Sequence, residues 1–152
     1  MGRWTDRLAQ LGIELPEVVT PVASYVPAVR TGSQVYTAGQ LPIVAGTLQA
    51  TGKVGDAVTP EDAQRHARTC TLNALAAVDG LVGLDSIARV VKVVGFVASA
   101  PGFHGQPAVL NGASELLGEI FGETGQHARS AVGVAELPKG APVEVEMITE
   151  VV

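Results

Sequence analysis

The stretch HARSAVGVAELPKGAPVEVE, from His127 to Glu146, holds two apolar runs joined by Leu137-Pro138-Lys139-Gly140. Arg129 heads the first run among Ala128, Ser130 and Ala131, while Glu144 and Glu146 alternate with valines in the second. Short, β-branched and bounded by a turn, the runs predict two strands, at about Ala128 to Val134 and Val143 to Val151. If they pair as antiparallel neighbours, Arg129 comes close to Glu144 or its surroundings, because cross-strand partners on one face are in contact. Two readings of Arg129 follow. One is a structural ion pair; in the other, the small neighbours leave room for an outside carboxylate, which a guanidinium fork matches through two parallel hydrogen bonds.

Upstream of this stretch, Gln106 to Phe121 repeats apolar residues at helical steps (Val109, Leu110, Ala113, Leu116, Leu117, Ile120) and runs into Gly122. Ile87 to Ala98 is long and β-branched enough for a central strand, with Lys92 its solvent-facing or edge exception. Thr59-Pro60-Glu61-Asp62 is a helix start: Thr59 can cap, Pro60 suits the first turn, and the acids face the positive end of the dipole. That helix should reach Val82 and stop at Gly83, with an apolar face of Ala63, Ala67, Cys70, Ala74, Ala77, Val78 and Leu81. Tyr25 to Arg30 and Gln34 to Ala38 read as strands around a three-residue connection, Thr31-Gly32-Ser33. Gly39 to Gly55 reads as a loop with a short strand near Leu41 to Val44, and Trp4 to Leu11 as a short helix ending at Gly12. The order β-β-α-β-α-β-β predicts an α+β fold, one mixed β-sheet with two helices packed on one face.

A chain of 152 residues fits one domain over positions 1–152, with 1–16 a short N-terminal helical extension. The net charge of −5 and the absence of a basic run make nucleic acid an unfavourable partner. A single cysteine, Cys70, excludes an internal disulfide framework. The N-terminus lacks a secretory apolar stretch, and the densest apolar run, Val90 to Ala98, is interrupted by Lys92 and too short to span a bilayer. A soluble, cytoplasmic protein is expected. With 47% hydrophobic and only 16% charged residues, a domain of this size should close part of its apolar surface against other subunits.

Other constellations carry less. Gly46 to Lys53 imitates a phosphate loop, but five residues separate its glycines and Val54 stands where a magnesium-binding hydroxyl belongs. His66, His104 and His127 share no ligand spacing, so no metal is expected. His66 lies one helical turn after Asp62, the place of an ordinary surface pair, while His127, two residues before Arg129, is either a turn residue or part of its surroundings. Cys70 reads as a small buried apolar residue rather than a reactive thiol.

The pattern Ala-Arg-Ser-x-Val-x-Val-x-x-Leu-Pro-Lys-x-x-x-Val-Glu-Val-Glu from Ala128 to Glu146 resembles the C-terminal signature of the Rid family, also called YjgF or L-PSP. Ser24 to Gly32, followed by Val35-Tyr36-Thr37-Ala38-Gly39-Gln40-Leu41-Pro42, resembles its N-terminal signature, so the likeness covers about Pro21 to Val151. It implies a chorismate-mutase-like homotrimer with ligand clefts between subunits. In the well-studied branch it implies hydrolysis of reactive enamines and imines to 2-oxo acids and ammonia, without a cofactor. By the same resemblance Arg129 anchors the substrate carboxylate, Glu144 places or activates water, and Tyr25 lines the cleft from the adjoining subunit. Thr37, Ala38, Asn111 and Ala131 complete the implied substrate-binding set. The chain departs from that branch at Ala38, usually Ser, at Ala131, often Cys, and at His127, often Pro. A trimer that holds small carboxylates without transforming them is therefore the alternative, and the ribonuclease role attached to the family name is disfavoured by the charge.

Overall fold

The structure, a computed structural model, describes residues 2–21 and 23–152. Helix α1 spans Arg3–Leu11, and strands β1 and β2 span Ala28–Thr31 and Gln34–Thr37. A small separate hairpin, β3 (Ile43–Val44) and β4 (Thr47–Leu48), occupies the region read as a loop. There follow α2 (Pro60–Val82), β5 (Ile87–Ala98), α3 (Gln106–Phe121), β6 (Ala128–Val134) and β7 (Val143–Val151).

The start of α2 follows from its sequence: the Thr59 side chain accepts a hydrogen bond from the Asp62 amide at 3.1 Å, and Pro60 fills the first turn. At its far end Leu81, expected on the apolar face, is 47% exposed, while Val82 beside it packs against the core. The first hairpin is tighter than expected. Thr31 pairs with Gln34, leaving a two-residue Gly32-Ser33 turn in which Gly32 takes the positive φ that such turns require. β1 begins only at Ala28, since Pro27 has no amide hydrogen to offer the ladder; its carbonyl accepts from Ala38 at 2.8 Å instead.

The main sheet has the order β1-β2-β7-β5-β6 and is mixed, β5 and β6 being parallel and the other pairs antiparallel. Helices α2 and α3 cover one face, burying Leu75, Leu110, Leu116 and Leu117 completely against Val90, Val93, Val145 and Met147. The N-terminal extension is docked rather than free. Trp4 is 6% exposed, its indole donates to the Ile87 carbonyl at 2.8 Å, and Asp85 accepts from the Trp4 and Thr5 amides at the open start of α1.

Among the described residues, no element covers the other face of the sheet. Residues of β7 alternate between buried and accessible, with Glu144, Glu146, Ile148 and Glu150 outward. In register with them lie Phe96, Val94 and Lys92 of β5 and Tyr36 of β2. Val29, Tyr36 and Val132 expose 54%, 43% and 44% of their surface there. Among the described residues no helix is long and apolar enough to cross a membrane.

Candidate functional site

The pairing that would bring Arg129 to Glu144 within one chain does not form. β5 lies between β6 and β7, because the chain leaves β5 through α3 and such a strand-helix-strand crossover returns parallel to the strand it left. Arg129 stands in register with Val93 and Met147, on the helix-covered face; Glu144 stands in register with Phe96 and Val132, on the open face. The two expected catalytic residues therefore project from opposite sides of the sheet.

Arg129 is half-buried at the sheet edge against α3. Its Nη1 donates to Asn111 Oδ1 at 2.9 Å and to Ser114 Oγ at 3.1 Å, and its Nη2 to the Pro107 carbonyl at 3.2 Å. These acceptors are neutral, and no ion pair within 4.0 Å reaches Arg129 among the described residues. Its Nε–H and one Nη2–H have no partner among the described residues, which leaves donor capacity for an outside anion. Ser114 Oγ also lies 2.9 Å from His127 Nε2, and His127 Nδ1 lies 2.6 Å from the Gly125 carbonyl. Together Asn111, Ser114, Gly118, Gln126, His127 and Arg129 line an open hollow of about 420 Å³.

Tyr25 and Glu144 share a separate hollow of about 150 Å³ with Gly39, Gln40, Leu41 and Lys139. Tyr25 is 54% exposed. The Glu144 carboxylate lies over Gly39, where any Cβ would overlap it, so glycine at this position admits the acid. Of the remaining expected positions, Asn111 is in contact with Arg129 as described, and Ala131 is partly buried on the same face of β6. Ala38 is half-buried just past β2. Thr37 points inward instead: it is 7% exposed, and its Oγ1 accepts from the Met147 amide at 3.1 Å, tying β2 to β7.

Burial first, and the charge of Glu146 second, hold the Glu144 carboxyl above its ordinary value of 4.5. A carboxyl raised in the fold contributes fully below its unfolded pKa, and that contribution is lost as pH rises through the folded value. Glu144→Gln is accordingly expected to hold its thermal midpoint better than wild type as pH rises from acid to neutral, measured by calorimetric scans. Identical pH dependences in the two proteins would contradict the assignment. Cys70 is completely buried, and burial pushes its thiol up, as a small core residue requires. Among the described residues no group of three or more His, Cys, Asp or Glu side chains is placed to hold a metal ion.

Ser114 was not singled out from the sequence. Its one local signal is its spacing of three from Asn111, which puts both on one face of α3. That this face meets His127 and Arg129 depends on the crossover to β6.

Comparison with known proteins bears on the same region. Residues 5–151 match the family described as "YjgF/chorismate_mutase-like, putative endoribonuclease". "Protein TCP17" of Trypanosoma cruzi is 44% identical over 98% of this chain and 94% of its own length. The "2-iminobutanoate/2-iminopropanoate deaminase" of Dermatophagoides farinae is 33% identical over 90% of this chain and 92% of its own. The solved structure of Atu1372 from Agrobacterium tumefaciens, a protein "with unknown function", superposes with a TM-score of 0.90 at 44% identity, covering 98% of this chain and 92% of that one. Escherichia coli TdcF "with bound serine" superposes with a TM-score of 0.66 at 26% identity, covering 91% and 96%. With nearly the whole chain matched and the mixed sheet and its helices in place, the protein belongs to the YjgF/chorismate mutase-like family.

Proposed function

We propose that the protein hydrolyses reactive enamines and imines derived from amino acids, releasing 2-oxo acids and ammonia, in clefts formed between the subunits of a homotrimer. The observation that carries this reading is the charge of Arg129. A half-buried guanidinium held by neutral acceptors keeps two donors for an outside anion, and the carboxylate of an imino acid supplies that anion. A deaminase among the relatives and a bound amino acid in a related structure support the substrate class.

The reaction asks little of the protein. An iminium carbon is already electrophilic, so orienting it and presenting water account for most of the required work. Arg129 fixes the carboxylate end. Glu144, raised by burial, serves as a proton-exchanging group for the attacking water. Because Arg129 and Glu144 occupy opposite faces, one cleft combines the Arg129 of one subunit with the Tyr25 and Glu144 of the next. The open face of the sheet, on which Val29, Tyr36 and Val132 are exposed, supports such an assembly.

The loss of polar groups at Ala38 and Ala131 favours a second reading, a carboxylate-binding protein without turnover. One experiment separates the two. An amino-acid dehydratase or oxidase generates the imine, and 2-oxo acid release is followed with and without the protein. Accelerated release is expected. Release at the uncatalysed rate, together with calorimetric binding of a 2-oxo acid, would assign the protein to the second reading.

A further inference from the structure

We propose that Asn73, buried in α2, is a positioning residue for Glu144: it holds Leu41 and Ile43, which line the Glu144 hollow, and through them keeps Gly39 against the Glu144 carboxylate. This inference rests on the imine-hydrolase reading and adds to it a group that touches no substrate. Asn73 is 1% exposed, on a helix whose buried residues are mostly apolar. Its Nδ2 donates to the Leu41 carbonyl at 3.0 Å and to the Ile43 carbonyl at 2.9 Å. Both partners are main-chain oxygens that can only accept, so the amino end of the amide must face them. Its Oδ1, at the other end, is buried with no partner among the described residues. An orphaned oxygen in a core costs stability, and a leucine would avoid it. What the amide supplies, and leucine would not, is the pair of donated bonds.

Those bonds fall on a strip of chain with little else to fix it. Gln40 makes one isolated bridge to β7, its amide donating to the Val145 carbonyl at 2.8 Å and its carbonyl accepting from the Val145 amide at 3.0 Å. Beyond it Pro42 has no amide hydrogen, and the β3–β4 hairpin is not part of the main sheet. A single bridge leaves such a strip free to swing about Gln40. Asn73 reaches it from the helix-covered side and stops that swing. The strip thus wraps the end of the sheet: Gly39 lies on the Glu144 carboxylate on the open side, while Leu41 and Ile43 are tied to α2 on the other.

The consequence falls on the proton chemistry of Glu144. Burial is the larger cause of its raised pKa and the charge of Glu146 the smaller. Tyr25 and Lys139 line the same hollow, and from α2 comes Cys70, whose thiol is raised by burial first and by the Glu144 charge second. None of these groups is on the strip from Gly39 to Ile43, so displacing the strip lets water reach the carboxyl without removing a charge. A better-solvated carboxylate is a weaker base, and a reacting group misplaced by about 1 Å loses up to about a hundredfold in rate.

The test uses the full-length protein, the coupled imine assay across pH, and titration of the Glu144 carboxyl by NMR of its side-chain carbon, which reads the hollow with no substrate present. Asn73→Leu, an apolar side chain of the same branching, removes both donors together with the orphaned oxygen. It is expected to lower kcat at neutral pH by at least about tenfold and to move the Glu144 titration, with the acid limb of the kcat profile, toward lower pH. Asn73→Ser, which can donate to only one of the two carbonyls, should fall between, and it takes the place of the leucine variant should that fail to fold. Gly39→Ala, whose Cβ forces the strip off the carboxylate from the other side, should shift the titration in the same direction. A lowered thermal midpoint with wild-type kcat and an unmoved Glu144 titration would overturn the inference, making Asn73 a core residue only, and would leave the hydrolase reading standing. Wild-type protein without turnover, in which Asn73→Leu still moves the Glu144 titration, would overturn the hydrolase reading and keep the link from Asn73 to Glu144.

Discussion

Arg129→Ala is expected to weaken 2-oxo acid binding by at least about a hundredfold and to reduce imine turnover by a similar factor. Each hydrogen bond to a charged partner contributes roughly 1.5–3 kcal/mol. A carboxylate held by two of them therefore loses about 3 kcal/mol or more, and each 1.4 kcal/mol is about tenfold in affinity. The fold should survive: Arg129 lies at a sheet edge, and water can reach the Asn111 and Ser114 oxygens that it leaves. Arg129→Lys retains the charge without the planar fork and should fall between wild type and alanine. Calorimetric titration with pyruvate and the coupled assay measure both effects. Wild-type affinity in Arg129→Ala would remove the proposed ligand site.

A second large effect is expected at Gly112, where α3 lies against α2. A Cβ there would overlap the main-chain carbonyl of Gln64, with the carbonyl carbon only 2.9 Å away. No rotamer relieves that clash, and the Gln64 side chain, donating to the Ala108 carbonyl at 2.9 Å, further fixes the crossing. Gly112→Ala should destabilise the fold by about 3 kcal/mol, the upper part of the range for overpacked sites. The same change at Gly118, also on α3 but with nothing within 4 Å of its would-be Cβ, should stabilise by roughly 0.5–1 kcal/mol through helix propensity alone. Denaturant midpoints for the pair should move in opposite directions. Parallel movement would show that the helices do not cross as closely as described.

Much of the fold was legible because its boundaries carry local chemistry. Thr59, Pro60 and Gly83 delimit α2, and the β-branched run of Ile87–Ala98 marks the strand that lies inside the sheet. Strand order was not legible. The two runs flanking Leu137-Pro138-Lys139-Gly140 look like hairpin partners, whereas α3, much farther from the turn, sets β6 beside β5. The same long-range cause hid half of the candidate site. Arg129 stood out because small residues surround it, and Asn111 entered through the family resemblance. Ser114 could not be joined to either until the crossover was known. Thr37 entered through the same resemblance, and that its hydroxyl accepts from the Met147 amide inside the sheet depends on the pairing of distant strands.

The sheet that separates Arg129 from Glu144 has a consequence for how copies of this chain can associate. If, as proposed, a cleft joins the Arg129 of one copy to the Glu144 of the next, the protomer is a head-to-tail building block, and an open row of copies leaves an unmatched half at either end. Only a closed ring consumes every half, and it then holds as many complete clefts as it has members.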